Sequence, residues 1–98
     1  MDIEYKNAQI RKVCTDAQVA EKKYGVRMAE KIQQRIDEIS AIDTVEHMIQ
    51  FKIGRCHPLK GNRKNQYAVD LEGAKRLIFE KKGTEIQIAL IDEIADYH

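Results

Sequence analysis

The hydrophobic positions of this chain change period once. In the first half they recur at helical spacing: Ile10, Val13 and Cys14, then Ala17, Ala20 and Tyr24, then Met28, Ala29, Ile32, Ile36 and Ile39. Asn7 is placed to cap a helix running to about Cys14. Thr15-Asp16-Ala17-Gln18 matches a capping box, so a second helix is predicted to start there. Lys22-Lys23-Tyr24-Gly25 has the cations and the glycine of a helix end, yet the apolar spacing resumes at once with no N-cap before it. Gly25 is therefore read as a tolerated glycine or a kink, with the second helix continuing to about Ser40.

Beyond that point the period becomes two. Ile49, Phe51 and Ile53 alternate with polar or smaller neighbours, as do Tyr67, Val69 and Leu71, then Leu77 and Phe79, then Ile86, Ile88 and Leu90. Ile3-Glu4-Tyr5 is a further short candidate strand. Gly73-Ala74 and Lys82-Gly83-Thr84 are turns. Connections this short favour antiparallel neighbours, because a parallel pair needs a long crossover. The pattern predicts an α+β domain: two N-terminal helices packed on one face of a small, mainly antiparallel sheet. Leu77 and Phe79 facing the helices would turn Arg76 and Ile78 to the other side, and Ala68 and Asp70 opposite to Tyr67, Val69 and Leu71.

Length and composition narrow the class. The chain has 98 residues, read as a single domain over 1–98, and a 43% hydrophobic content that suits one modest core. No apolar stretch approaches bilayer length, and Met1-Asp2-Ile3-Glu4 lacks the basic and apolar regions of a signal peptide, so a cytoplasmic protein with no membrane contact is expected. Cys14 and Cys56 are too few for a disulfide framework and lack a chelating spacing. They read as buried thiols, and neither a metal nor a cofactor is expected.

Charge adds a location to this picture. The net charge is only +1, but all 16 acids lie outside residues 47–69, while Lys52, Arg55, Lys60, Arg63 and Lys64 lie within them. The single proline, Pro58, and His57 are in the same window. A local basic face on a nearly neutral protein suits a site that meets phosphates, although a solvated loop is the commoner fate of such a run. With Arg76 and the terminal Tyr97-His98, residue types that suit RNA cleavage are present, although composition alone does not justify that reading and a strand arginine more often makes a surface ion pair. A histidine can transfer protons near neutrality, and lysine and arginine can stabilise the charge of a phosphorane. No carboxylate cluster that would hold a metal is apparent.

The residues Arg55-x-His57-Pro58-Leu59-Lys60-Gly61, Gln66-Tyr67-Ala68-Val69-Asp70-Leu71, Arg76-Leu77-Ile78-Phe79 and the final Asp96-Tyr97-His98 together resemble the HigB toxins. These belong to the RelE/ParE-like superfamily of type II toxin–antitoxin systems, also described as plasmid-maintenance killer proteins. The resemblance implies a RelE/ParE-like fold and a ribosome-dependent mRNA interferase that inhibits translation. It implies neutralisation by a HigA-type helix-turn-helix antitoxin, with the toxin a monomer when free and part of a hetero-oligomer when bound. Carried over, Lys60, Asp96, Tyr97 and His98 match the loop lysine and the terminal residues of the family, and Arg76 matches the strand arginine of the superfamily. These five are the expected catalytic residues. Arg55, His57, Arg63 and Lys64 are the expected contacts to RNA or the ribosome. In this resemblance His98 is a proton carrier, Lys60 and Arg76 stabilise phosphate charge, Tyr97 stacks on a base, and Asp96 orients His98 or Lys60. The sequence departs from relatives at Lys75, where an aromatic often precedes the arginine.

Two other readings remain open on the residues. One is a ParE-like inhibitor that binds DNA gyrase without cutting RNA. The other is a partner-binding module with no activity of its own.

Overall fold

A computed structural model describes residues 1–96. Its elements in chain order are β1 (Asp2–Tyr5), α1 (Ala8–Thr15), α2 (Ala17–Tyr24), α3 (Val26–Ala41), α4 (Val45–Gln50), a single 3-10 turn (Ile53–Arg55), β2 (His57–Pro58), β3 (Gln66–Asp70), β4 (Lys75–Lys82) and β5 (Ile88–Asp96). The five strands form one sheet in the order β1-β5-β4-β3-β2, with β1 parallel to β5 and every other pair antiparallel. The α+β class and the mainly antiparallel sheet are those the periodicity predicts.

The helical half differs in its breaks. Asn7 caps α1 through the Ile10 N–H, as expected. The next cap is Asp16, not Thr15: its carboxylate accepts from the Gln18 and Val19 N–H groups. The predicted helix 15–40 is divided at Gly25, which adopts φ 88° and ψ 168°. That region is open essentially to glycine alone, so Gly25 ends α2 and starts α3. The apolar stripe of α3 is as predicted: Met28, Ala29, Ile32, Ile36 and Ile39 are all buried. They share one core with Val69, Leu71, Leu77, Phe79, Ala89 and Ile91 from the sheet. Burying a side chain such as Ile39 or Phe79 contributes about 1.5–3 kcal/mol, so this layer carries much of the fold.

The predicted strand at Ile49–Ile53 is not formed: Ile49 and Gln50 end α4, Phe51 and Lys52 make a turn, and Ile53 opens the 3-10 turn. Thr44 caps α4 by accepting from the His47 N–H, and Val45 and Met48, three residues apart, enter the core. Ile49 and Phe51 are left exposed. Alternation over so few residues also fits a short helix, and here the cap and the Val45–Met48 pair decide it. Gln87 completes the start of α4 from across the molecule. Its Oε1 accepts the Val45 N–H at 2.9 Å, and its Nε2 donates to Glu46 and to the Thr84 carbonyl. It is the one polar residue among the described residues that is fully buried.

Alternation along β3 and β4 matches expectation. Val69, Leu71, Leu77 and Phe79 join the helix-side core, and Tyr67 stacks on Phe79 with ring centroids 5.8 Å apart. β5 is longer than its periodicity indicated. Ile78 registers with Glu93 and Phe79 with Ile91, so Asp92 is the extra residue of a β-bulge. Cys14 and Cys56 are buried free thiols, and burial pushes both pKa values up to about 12. Among the described residues no helix is long and apolar enough to cross a membrane.

Gln87→Ala is expected to lower the unfolding free energy by about 1–3 kcal/mol, because it leaves the buried Val45 N–H unpaired; urea denaturation measures this. The thiols give a pH prediction. The unfolded chain releases their protons above about pH 9, and the folded chain holds them until about 12. The folded state binds more protons in that window, so stability falls as pH rises. The decline is expected to be shallower in Cys56→Ala by up to about 1.4 kcal/mol per pH unit.

Candidate nucleic-acid interface

One face of the sheet carries the helices. The other face, by strand alternation, presents His57 from β2, Gln66, Ala68 and Asp70 from β3, Arg76, Ile78 and Glu80 from β4, and Glu93 and Ala95 from β5. One row across it reads His57, Ala68, Ile78, Glu93; the next reads Asp70, Arg76, Ala95. Ala68 and Ile78 form a fully buried apolar floor even though they point away from the helices. The polar groups are arranged around that floor.

Asp70, at the end of β3, gathers three arginines. Arg35 of α3 donates its Nε to the Asp70 carbonyl at 2.7 Å. Arg55, leaving the 3-10 turn, has its Nε 3.3 Å from Asp70 Oδ2. Arg76 has its Nε 2.8 Å from Oδ1. The Arg76–Oδ1 contact is an ion pair without the alignment of a hydrogen bond, and Oδ1 has no other close donor. Arg76 is further fixed by its Nη1, which donates to the Gly73 and Lys75 carbonyls. Arg35 also pairs with Glu38 at 2.7 Å.

The local backbone is shaped to allow this convergence. Lys52, Gly54 and Arg55 have φ values of 56°, 55° and 52°. The left-handed conformation at two non-glycine residues costs energy and persists only where surroundings enforce it. At Gly54 a Cβ would lie 2.8 Å from Arg35 Nε, so a side chain there would push Arg35 off Asp70. The helix polar face containing Arg35 reads in sequence as solvated. In the structure Arg35 is only 11% exposed and bonds the sheet.

A second network anchors the basic loop between β2 and β3. Arg63 Nε donates to Gln66 Oε1 at 2.7 Å, and its Nη2 lies 3.6 Å from Glu93. Gln66 donates in turn to Asp92, which also pairs with Lys6 at 2.9 Å. The β-bulge is what brings both Asp92 and Glu93 to this face. The Asp92 carboxylate raises the Lys6 pKa, first by its hydrogen bond and then by its charge. Within the loop, Lys60 and Lys64 are exposed, and His57, Pro58, Leu59 and Lys60 line a shallow groove. The His57 Nδ1 lies 2.9 Å from the Arg55 carbonyl.

Of the residues singled out from sequence, Arg55, His57, Arg63 and Arg76 are brought to one face. Asp96 is bonded to Lys75 at 2.8 Å. By alternation that pair belongs to the face opposite Arg76. Tyr97 and His98 lie outside the described residues. Asp70, Arg35, Lys6 and Asp92 were not singled out. The signal for Asp70 was present, since it is the acid that ends the acid-free window. Among the described residues no three His, Cys, Asp or Glu side chains cluster as a metal-ion set.

Arg63→Ala is expected to cost no more than about 1 kcal/mol in global stability, as exposed ion pairs do. Amide hydrogen exchange in residues 60–65 should nonetheless accelerate, because the loop loses its tie to Gln66 and Glu93.

No protein-family model matches the sequence, and no curated protein matches it. Among solved structures, the chain is similar to a YoeB/ParE toxin from Agrobacterium tumefaciens, with a TM-score of 0.59 and 14% identity over the full length of both chains. The chain therefore has the fold of that toxin.

Proposed function

We propose that this protein is the toxin of a type II toxin–antitoxin system and acts as a HigB-like, ribosome-dependent mRNA endonuclease. The observation that carries the reading is the shared face: Arg55, His57, Arg63 and Arg76 surround a buried apolar floor on the side of the sheet away from the helices. The likeness in fold to a YoeB/ParE toxin supports the same class.

The chemistry divides among few groups. The ribose 2′-hydroxyl loses a proton and its oxygen attacks the adjacent phosphorus. The bond from phosphorus to the 5′-oxygen breaks, and that oxygen takes a proton. The upstream fragment ends in a 2′,3′-cyclic phosphate and the downstream one in a 5′-hydroxyl. His98 is assigned a proton transfer, because imidazole titrates near neutral pH. Lys60 and Arg76 stabilise the phosphorane charge. Tyr97 stacks on a base. Asp96, bonded to Lys75, fixes the strand end from which Tyr97 and His98 continue. Arg63 and Lys64 meet RNA or ribosome, with Arg63 also holding the loop. A HigA-type helix-turn-helix antitoxin is the assigned inhibitor, joining the free monomer in a hetero-oligomer.

The test is to add the protein to translating ribosomes and map mRNA ends. Cuts with 5′-hydroxyl ends are expected, reduced about 10²–10⁴-fold by His98→Gln and about 10²–10³-fold by Lys60→Ala. Intact mRNA at a dose that arrests growth, together with inhibited gyrase supercoiling, would establish the gyrase-binding alternative instead.

A further inference from the structure

The Asp70 cluster has more cations than a structural ion pair requires. Arg55 and Arg76 reach one carboxylate from separate elements, a 3-10 turn and a central strand. Arg55 is otherwise a surface residue, with its side chain 81% exposed. Arg76 is held differently: its Nη1 is committed to the Gly73 and Lys75 carbonyls, and its Nε lies 2.8 Å from Asp70 Oδ1 in an ion pair that lacks hydrogen-bond alignment. The edge formed by Nε and Nη2 is the one that grips phosphate or carboxylate in a two-bond fork. The turn carbonyls hold the guanidinium, and the Asp70 carboxylate lies beside that edge as a charge partner without satisfying its N–H groups.

We infer that the Asp70 carboxylate is a built-in stand-in for phosphate. It occupies the anion position between Arg55 and Arg76 in the free protein, and a backbone phosphate of single-stranded RNA takes that position on binding. The inference rests on the reading of this face as an RNA site. A carboxylate and a phosphodiester each present two anionic oxygens of similar spacing, so one can replace the other without rebuilding the arginine pair. Asp70 keeps the two guanidiniums from repelling each other and holds the left-handed Arg55 in place. It also lowers intrinsic affinity, because RNA must displace a bound anion before it gains the two arginines. The Asp70 backbone is unaffected by this exchange, since its carbonyl stays bonded to Arg35.

The experiment uses a short, 2′-O-methylated, uncleavable single-stranded RNA and measures binding by fluorescence anisotropy across a salt titration. Asp70→Asn removes the competing charge and keeps the side-chain shape. It is expected to bind about tenfold more tightly at low salt. Its plot of log K against log salt should be no shallower than that of the wild type, since the same phosphate is contacted in both. The double variant Asp70→Asn/Arg55→Gln should lose that gain. Glu30→Gln, an exposed acid on α3 with the same charge change, should bind as wild type.

A folded Asp70→Asn protein with wild-type affinity overturns the inference, as does an equal gain in Glu30→Gln. If Asp70→Asn does not fold, Arg55→Gln alone decides: reduced affinity with a shallower slope supports the site, and unchanged binding overturns it. Failure of the mRNA-cleavage experiment alongside these RNA-binding changes would remove the enzymatic reading and leave the anion site standing. Cleavage of mRNA with no Asp70 effect would do the reverse.

Discussion

Asp70 joins the parts of this structure that face RNA in the proposed account. Its carbonyl ties α3 through Arg35, and its carboxylate ties the 3-10 turn through Arg55 and β4 through Arg76. Each partner arrives from a different element, so the relative placement of helix, basic segment and strand is read out at one residue. Like charges this close would separate in the absence of an anion between them. The strained backbone at Lys52 and Arg55 and the required glycine at position 54 are consistent with a segment bent to meet that residue.

The two sides of the sheet divide the work. The helix side is an apolar layer in which α3 packs on Leu77, Phe79 and Ile91, and it gives the strands a rigid backing. The other side has only the narrow floor of Ala68 and Ile78, ringed by charge networks. The Arg63–Gln66–Asp92–Lys6 chain fixes the loop bearing Lys60, while the Asp70 cluster fixes the arginines. Side chains used in catalysis gain from such support, because orientation set before substrate arrives does not have to be achieved during the reaction.

Much of this was legible in the residues. The alternation of Leu77 and Phe79 with Arg76 and Ile78 assigned the strand faces correctly, because the period of two follows from strand geometry itself. The α3 stripe was equally clear. The Ile49–Ile53 segment was not, because alternation over so short a run is ambiguous and the deciding partners, Val45 and Gln87, are fixed by tertiary packing. Gly25 was read as a tolerated glycine or a kink inside one helix, and not as a break between two, because its effect depends on a backbone conformation that sequence spacing does not encode. The basic segment was visible as an acid-free window, but its closing acid was not recognised as the partner of its arginines. That relation depends on Asp70 and Arg76 being register partners across β3 and β4, while Arg55 reaches them from an adjoining turn. Arg35 looked solvated for the same reason: its partner is 35 residues away in sequence.

The most direct test of the account is a structure of this protein bound to a translating ribosome carrying mRNA with a 2′-O-methyl block at the cleavage position. The account predicts a backbone phosphate between the Arg55 and Arg76 guanidiniums, the Asp70 carboxylate turned away from both, and Lys60 and His98 at the scissile phosphate. An mRNA path that avoids this face of the sheet, with Asp70 still paired to both arginines, would contradict it.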